Sequence, residues 1–233
     1  MKIITRPISE WTPFIELPEN EVHVWVAPLA ENGSNGSHQR FLCEEELKRA
    51  EKFRSEKTRS QFISSRGTLR WLLSGYLGHE PEQVAITYEA AGKPILAGQP
   101  FYFNVTHSEE VAAYAVSKAG RVGLDIERLR TMENIESIIE RFFTQNEFQA
   151  FQQVPLELKE IIFFRMWTRK EALLKAIGQG IHALELCEIS VSPHEEPRVL
   201  KMMNEENCSD RWLLKDLDLA QGYQGALALE LNP

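Results

Sequence analysis

The 233-residue chain is 43% hydrophobic, enough to bury the core of one large domain or of two small ones. Its formal net charge of −8 argues against general binding of nucleic acids, because no excess of Lys and Arg is offered to a phosphate backbone. The three cysteines are widely spaced, so neither a disulfide framework nor a zinc site is indicated. We expect a cytoplasmic protein without a signal peptide or a membrane span.

The first third of the chain predicts a strand followed by helices. The apolar residues of 22–27 predict a strand in which His23 is a solvent-face or edge residue rather than a ligand. The glycine- and serine-rich residues 32–37 predict a loop. Apolar residues at helical spacing then predict one helix over 44–53 and a second one over about 57–77.

Arg66 and Arg70 lie four residues apart on the second predicted helix, so they share one of its faces. Two such arginines are usually solvated. Further along the chain, Gly92-Lys93-Pro94 has the composition of a turn, which would fix the position of a lysine. Neither feature indicates a binding site when taken alone.

Two carboxylates two residues apart form the first candidate site. Asp125 and Glu127 end an apolar run that opens with Val122-Gly123-Leu124, which predicts a strand on which both carboxylates point the same way. Two like charges repel unless a cation lies between them, and for hard oxygen ligands without His or Cys that cation is most simply Mg²⁺. A strand that ends at an exposed acidic edge is the alternative, and the spacing alone does not decide.

A third acidic residue lies on a predicted helix over 163–180, which glycines at its end would stop. Glu171 and Lys175 are four residues apart there and share a face with Trp167. An ordinary surface ion pair is one interpretation. The other is a polar spot on a mostly apolar helix, which needs a metal or an anion as its partner.

The remaining sequence predicts short elements around this helix. Residues 134–151 predict two short helices, the second of which begins with a capping box formed by Thr144 and Glu147. Strand-like runs in the tail predict a closing antiparallel sheet; they lie at 188–192, 212–215 and 225–231.

Three blocks of the sequence together resemble the signature of the 4′-phosphopantetheinyl transferases of the longer, Sfp type. The blocks are Phe103-Asn104-Val105-Thr106-His107-Ser108, Val122-Gly123-Leu124-Asp125-Ile126-Glu127, and Trp167-Thr168-Arg169-Lys170-Glu171-Ala172 with Lys175. Their order and separation match the family. Thr106 is a departure, because the family usually has Ser there, but the hydroxyl group is kept.

The resemblance implies an α+β fold made of two similar α+β halves related by a pseudo-twofold axis, with the active site in the cleft between them. We place the halves at residues 1–118 and 119–233. Because both sides of the cleft would then lie on one polypeptide, we expect a monomer.

The resemblance also implies the reaction: Mg²⁺-dependent transfer of 4′-phosphopantetheine from coenzyme A to a serine of an apo acyl or peptidyl carrier protein, with release of 3′,5′-ADP. Asp125, Glu127 and Glu171 would hold the metal, and Glu171 would also be the general base. The expected contacts to coenzyme A are Arg66, Lys93, Thr106, His107 and Lys175. Another Mg²⁺-dependent pyrophosphate enzyme, such as a nucleotide hydrolase, and a non-catalytic binding module remain as alternatives.

Overall fold

A computed structural model describes residues 1–29, 36–192, 194–203, 205–206 and 208–231. The strands are β1 Lys2–Pro7, β2 Glu21–Pro28, β3 Ile86–Tyr88, β4 Pro94–Leu96, β5 Tyr102–Ser108, β6 Val111–Ser117, β7 Val122–Arg128, β8 Cys187–Ile189, β9 Val199–Met202, β10 Glu205–Glu206, β11 Trp212–Leu217 and β12 Tyr223–Glu230. The α-helices are α1 Gly36–Gln39, α2 Glu44–Glu51, α3 Glu56–Leu77, α4 Ile135–Phe142, α5 Gln145–Gln152 and α6 Lys159–Ile177. The predicted α+β class is confirmed.

The predicted elements are found close to their expected positions. α3 begins after Ser55, whose side chain accepts a hydrogen bond from the amide of Thr58, and α6 ends at Gly178, which has a left-handed φ of 70°. Thr144 and Glu147 form the predicted capping box of α5. Of the loop predicted over 32–37, residues 32–35 lie outside the described residues, and α1 begins at Gly36.

The first sheet has the strand order β1-β2-β6-β5, in which β1 and β2 are parallel and the other pairs are antiparallel. Helix α3 packs on one face of this sheet, where Leu69, Leu72 and Leu73 join the cluster that contains Trp25 and Tyr114. Such burial of large apolar side chains stabilises the fold by roughly 1.5–3 kcal/mol for each of them. One long helix on one sheet is therefore the first packing unit.

The second sheet has the antiparallel order β11-β12-β7, and helix α6 packs across β7 and β12. β8, β9 and β10 form a separate small sheet that contacts α6 through β8, so the strand predicted over 188–192 does not join the other two tail strands in one closing sheet. β3 pairs with β4 next to β5. The two main sheets meet through their remaining faces in one apolar cluster, which consists of Val22, Val24, Ala113, Ala115, Val122, Leu124, Leu227 and Leu229. β5 and β7 come side by side at this junction.

His23 is buried, with only 3% of its surface exposed, so its predicted solvent position is wrong. Its ring nitrogens lie 2.8 Å from the Tyr76 hydroxyl and 3.2 Å from a carboxylate oxygen of Glu21. β2 is an inner strand whose two faces are covered by α3 and by the second sheet. Alternation of polar and apolar residues therefore does not mark a solvent face here.

A buried ion pair connects three elements of the C-terminal region. The Lys170 ammonium lies 2.5 Å from a carboxylate oxygen of Glu147, and both side chains are excluded from solvent. The same carboxylate accepts the amides of Thr144 and Ile189. Burial of this kind is tolerated when every charge has partners. The pair thus joins the start of α5, the end of β8 and the middle of α6.

No helix in the described ranges is long and apolar enough to cross a membrane.

Candidate active site

Asp125 and Glu127 lie on the face of β7 that α6 covers. Asp125 is only 4% exposed, and its Oδ1 accepts hydrogen bonds from the Lys175 ammonium at 2.5 Å and from the Thr106 hydroxyl at 3.1 Å. Glu127 accepts a hydrogen bond from Ser108 at 3.0 Å. β5, β7 and α6 thus each supply polar groups to one place, as the three sequence blocks predict.

Gly123 allows α6 to reach this place. A Cβ atom at position 123 would lie 1.9 Å from the carbonyl oxygen of Ala172 and 2.5 Å from the backbone nitrogen of Ala176. These are backbone atoms of α6, so they cannot move aside without moving the helix. The absence of a side chain on Gly123 therefore sets how closely Glu171 and Lys175 approach β7. Sequence reasoning missed this role of the glycine.

We expect Gly123→Ala to destabilise the fold by about 1–3 kcal/mol, because overpacking against a backbone forces the helix away. Turnover should fall as well, since Glu171 and Lys175 would move with the helix. Urea unfolding measures the first effect. Gly180→Ala is the matched control, because a Cβ at Gly180 meets no atom within 4 Å. Equal stability of the two variants would contradict the proposed close approach.

The three acidic side chains influence one another electrostatically. Burial raises the pKa of Glu171, and the negative charges of Asp125 and Glu127 raise it further, against the opposing effect of Lys175. Burial and the charge of Asp125 likewise raise the pKa of Glu127. The three carboxylates thus face two positive groups among the described residues, the Lys175 ammonium and the Arg130 guanidinium, which lies 3.8 Å from Glu127.

Two buried carboxylate oxygens of the site, Asp125 Oδ2 and Glu171 Oε1, have no hydrogen-bond partner in the structure. Unpaired buried oxygens of this kind are costly, and oxygen donors with negative charge suit a hard cation such as Mg²⁺. Within the described ranges, no group of three His, Cys, Asp or Glu side chains is already arranged to hold a metal ion. The two unpaired carboxylate oxygens are therefore suitable ligands for a cation. In the structure, the positive group that contacts Asp125 is the Lys175 ammonium.

Thr106 and His107 face opposite sides of β5, because neighbouring residues on a strand alternate. Thr106 points to the carboxylates and also accepts a hydrogen bond from Lys175 at 3.1 Å. His107 instead lines a cavity of about 400 Å³ between β5 and α3. Its partial removal from water and the nearby charge of Lys175 lower the pKa of His107.

Arg66 lines the same cavity as His107. Its Nη1 is buried without a hydrogen-bond partner, and its Nε lies 3.5 Å from Glu46. Arg70 behaves differently: it donates to Glu46 at 2.5 Å and to the carbonyl groups of residues 81, 82 and 84. Neither arginine is solvated. Arg70 connects parts of the fold, whereas Arg66 lies at the cavity and has a buried donor atom without a partner.

Lys93 does not hydrogen-bond to any of the other residues that are predicted to contact phosphate; its partners are backbone carbonyl groups. Its ammonium donates to the carbonyl oxygens of Val122 at 3.2 Å and Ala176 at 2.8 Å, and burial lowers its pKa to about 8. The β3–β4 turn is thereby bonded to the start of β7 and the end of α6. The contact between Lys93 and coenzyme A stays a prediction, and it would require these two bonds to break.

Ser108 is a further site residue that the sequence analysis did not select. Its hydroxyl contacts Glu127. The sequence could have indicated this residue, because Ser108 is two residues after Thr106 and therefore shares its face of β5.

A second cavity, of about 210 Å³, opens beside Glu127. Apart from Glu127 and Arg130, its lining is apolar and consists of Met132, Ile138, Phe163, Phe164 and Trp167.

Comparison with known proteins identifies the family. A model of the 4′-phosphopantetheinyl transferase superfamily matches residues 121–228. The 4′-phosphopantetheinyl transferase HetI of Nostoc sp. is 40% identical over 209 residues, which cover 84% of this chain and 88% of HetI. A putative 4′-phosphopantetheinyl transferase of Synechocystis sp. is 32% identical over 168 residues, covering 71% of this chain and 67% of the relative.

The 4′-phosphopantetheinyl transferase psf-1 of Bacillus pumilus is 33% identical over 142 residues, 60% of either chain. The matched stretch of the superfamily model contains Asp125, Glu127, Glu171 and Lys175, four residues that the structure brings to one site. The extent of the match to HetI is enough to establish membership. The chain therefore belongs to the 4′-phosphopantetheinyl transferase superfamily and is an enzyme of that kind.

Proposed function

We propose that the chain transfers 4′-phosphopantetheine from coenzyme A to a serine hydroxyl of an apo acyl or peptidyl carrier protein, with Mg²⁺ as cofactor and 3′,5′-ADP as the leaving product. The observation that supports this most is the convergence of Asp125, Glu127, Glu171 and Lys175 where β5, β7 and α6 meet. Transfer of a phosphoryl-type group requires mainly positioning and neutralisation of charge, and these residues supply both.

Asp125, Glu127 and Glu171 would hold the metal. When bound, Mg²⁺ neutralises negative charge on pyrophosphate oxygens and acts as a Lewis acid. The unpaired oxygens of Asp125 and Glu171 support this assignment, because they are donors that lack a partner. Lys175 would then turn from Asp125 toward a phosphate oxygen, a movement that its partly exposed side chain permits.

Glu171 is the proposed general base. Its carboxylate lies on α6 beside Asp125 and Glu127, so it is the candidate acceptor for the proton of the attacking serine hydroxyl. The adjacent apolar cavity beside Glu127 has room for the pantetheine arm, whose chain carries few charges.

The nucleotide end of coenzyme A would occupy the larger cavity between β5 and α3. Arg66 and His107 line that cavity, so both are placed to contact phosphate oxygens. Thr106 points from the other face of β5 toward the carboxylates, where Lys175 of α6 donates a hydrogen bond to it. These two residues would contact the pyrophosphate. In this arrangement the end of β5 separates the nucleotide from the reacting phosphate.

The arrangement in two halves is part of the same proposal. We divide the chain into residues 1–118 and 119–233 and relate the halves by a pseudo-twofold axis. In support, α3 packs on the first main sheet, α6 packs on the second, and the two sheets share one apolar cluster. Because one chain would supply both sides of the cleft, sedimentation at micromolar concentration should give a monomer.

Intact-mass analysis of an apo-carrier protein tests the proposed function. After incubation with the enzyme, coenzyme A and Mg²⁺, the carrier should gain the mass of one phosphopantetheine, and omission of Mg²⁺ should prevent this. A nucleotide hydrolase would instead consume coenzyme A without modifying any carrier. A binding module would leave both coenzyme A and carrier unchanged.

We expect Arg66→Gln and His107→Ala each to weaken the binding of coenzyme A by roughly 10- to 100-fold, because each loses a charge-assisted hydrogen bond to phosphate. Titration calorimetry measures the affinity. Arg59→Ala is the matched control, since Arg59 lies on α3 but is not among the residues that line the cavity. If all three variants bound coenzyme A as tightly as the parent, the nucleotide would have to lie elsewhere.

A further inference from the structure

β5 and β7 are edge strands of two different sheets, and they run side by side at the active site. Across the ranges that the structure covers, no backbone ladder pairs β5 with β7. An edge strand leaves amide and carbonyl groups without partners, and buried backbone groups need one. Some other contact must therefore join the two strands.

Side chains on alternate residues of β5 provide that contact. Asn104 Oδ1 accepts the backbone amide of Leu124 at 2.9 Å, and Ser108 Oγ accepts the amide of Arg128 at 3.1 Å. Thr106 lies between them and donates to Asp125. Residues two apart on a strand share a face, so these three form one row. We name Asn104, Thr106 and Ser108 the side-chain ladder.

Asn104 differs from the other two members of the side-chain ladder. Thr106 and Ser108 both donate to carboxylates, and Ser108 also accepts the Arg128 amide, whereas Asn104 contacts β7 through the backbone amide alone, at a position only 3% exposed. A buried amide without its acceptor is costly, so this bond favours one alignment of the strands. A shift by one residue would turn the wrong side chains toward β5.

We propose that Asn104 is a positioning residue for the transfer reaction: by accepting the amide of Leu124, it fixes the register of β7 against β5 and holds Asp125 between Thr106 and Lys175. This inference rests on the proposed function. Asn104 touches neither substrate nor reacting atoms in this scheme. It acts through Asp125, which is the next residue after the one it binds.

Asn104→Ala and Asn104→Ser form a matched pair that differs by one oxygen atom. Ser108 accepts a β7 amide from the same row of the strand, so a serine at position 104 keeps an acceptor oxygen, although one bond closer to the backbone than that of asparagine. We expect kcat of Asn104→Ala to fall by roughly 10- to 100-fold, since a displacement of about 1 Å at a reacting centre can cost 10²-fold. Asn104→Ser should recover part of that loss.

The KM for coenzyme A should change by less than about 3-fold in both variants, because Arg66 and His107 hold the nucleotide on the opposite face of β5. A merely structural role would lower the amount of folded enzyme and leave kcat of the folded fraction unchanged. The split between kcat and KM, measured with coenzyme A, Mg²⁺ and an apo-carrier, therefore separates the two roles.

Amide hydrogen exchange gives a readout that does not depend on any reaction. The Leu124 amide should exchange at least about 10-fold faster in Asn104→Ala than in Asn104→Ser or the parent, because it loses its acceptor. Amides bonded between β7 and β12 should keep their protection in all three proteins. If the parent fails to modify carriers, the proposed function is wrong, while the exchange comparison still reports whether Asn104 joins the strands.

An unchanged kcat in Asn104→Ala would overturn the proposal. The proposal would also be overturned if Asn104→Ser and Asn104→Ala had the same kcat and the same exchange rate of the Leu124 amide. Should Asn104→Ala fail to fold, Asn104→Cys replaces it in the comparison. A thiol fills the space of a hydroxyl group but accepts hydrogen bonds weakly. Equal kcat in Asn104→Cys and Asn104→Ser would then reject the role.

Discussion

Asp125→Ala should abolish modification of the carrier protein, with a loss of at least roughly 10³-fold. Asp125 is the residue on which the site converges, because Thr106 and Lys175 both donate to its Oδ1. Its second oxygen, Oδ2, is the buried and unpaired donor offered to a cation. In the proposed function, removing both oxygens would take away a metal ligand and the partner of Lys175, which together would cost several kcal/mol of stabilisation of the transition state.

The fold of Asp125→Ala should persist, because the Lys175 ammonium is partly exposed and water can solvate it once its partner is gone. Circular dichroism and intact-mass analysis, run on the same preparation, measure the two outcomes. Asp218→Ala, at an exposed position between β11 and β12, is the control and should modify carriers at the parent's rate. Modification by Asp125→Ala within about 10-fold of the parent would remove Asp125 from the metal site.

Glu171→Gln should lower turnover by roughly 10²- to 10⁴-fold, the usual contribution of a general base. Glutamine keeps the shape of the side chain and one acceptor oxygen, so it still fits against β7. It cannot take the proton of the serine hydroxyl. Coenzyme A should therefore still bind in the presence of Mg²⁺ while the chemical step becomes slow.

Single-turnover modification of an apo-carrier across about pH 6 to 9, together with the affinity for coenzyme A, distinguishes the two roles of Glu171. A slow rate with retained affinity supports the base. A near-normal rate would remove Glu171 as the base, and lost affinity without residual chemistry would make it chiefly a metal ligand. The control is Glu188→Gln, because the partly exposed Glu188 carboxylate accepts hydrogen bonds from Asn146 and lies on β8, outside the candidate site.

The long elements of the fold were predictable because their signals are local. α3 and α6 combine good helix formers with a glycine at the end, and the predicted capping box of Thr144 and Glu147 needs only four residues. β1 was not predicted, since its place depends on parallel pairing with β2. The burial of His23 likewise depends on a second sheet that is distant in sequence.

Much of the candidate site followed from the three sequence blocks, because each motif residue lies on a regular strand or helix. Asp125, Thr106 and Lys175 do meet in direct hydrogen bonds. The position of Lys93 could not be derived, since its partners are carbonyl groups that any sequence possesses. The buried partnership of Lys170 with Glu147 was also missed, because charged residues on a helix usually face water.

The two sheet edges that meet at the candidate site also cover each other. A free edge strand is a template for pairing with another chain, and natural proteins cover such edges or place charges on them. β5 and β7 use neither lysine nor proline for this purpose and instead cover one another. Residues 1–118 expressed alone would expose β5 together with the apolar face of the first sheet. We expect that fragment to self-associate, because the contact with β7 that covers this edge in the whole chain would be missing.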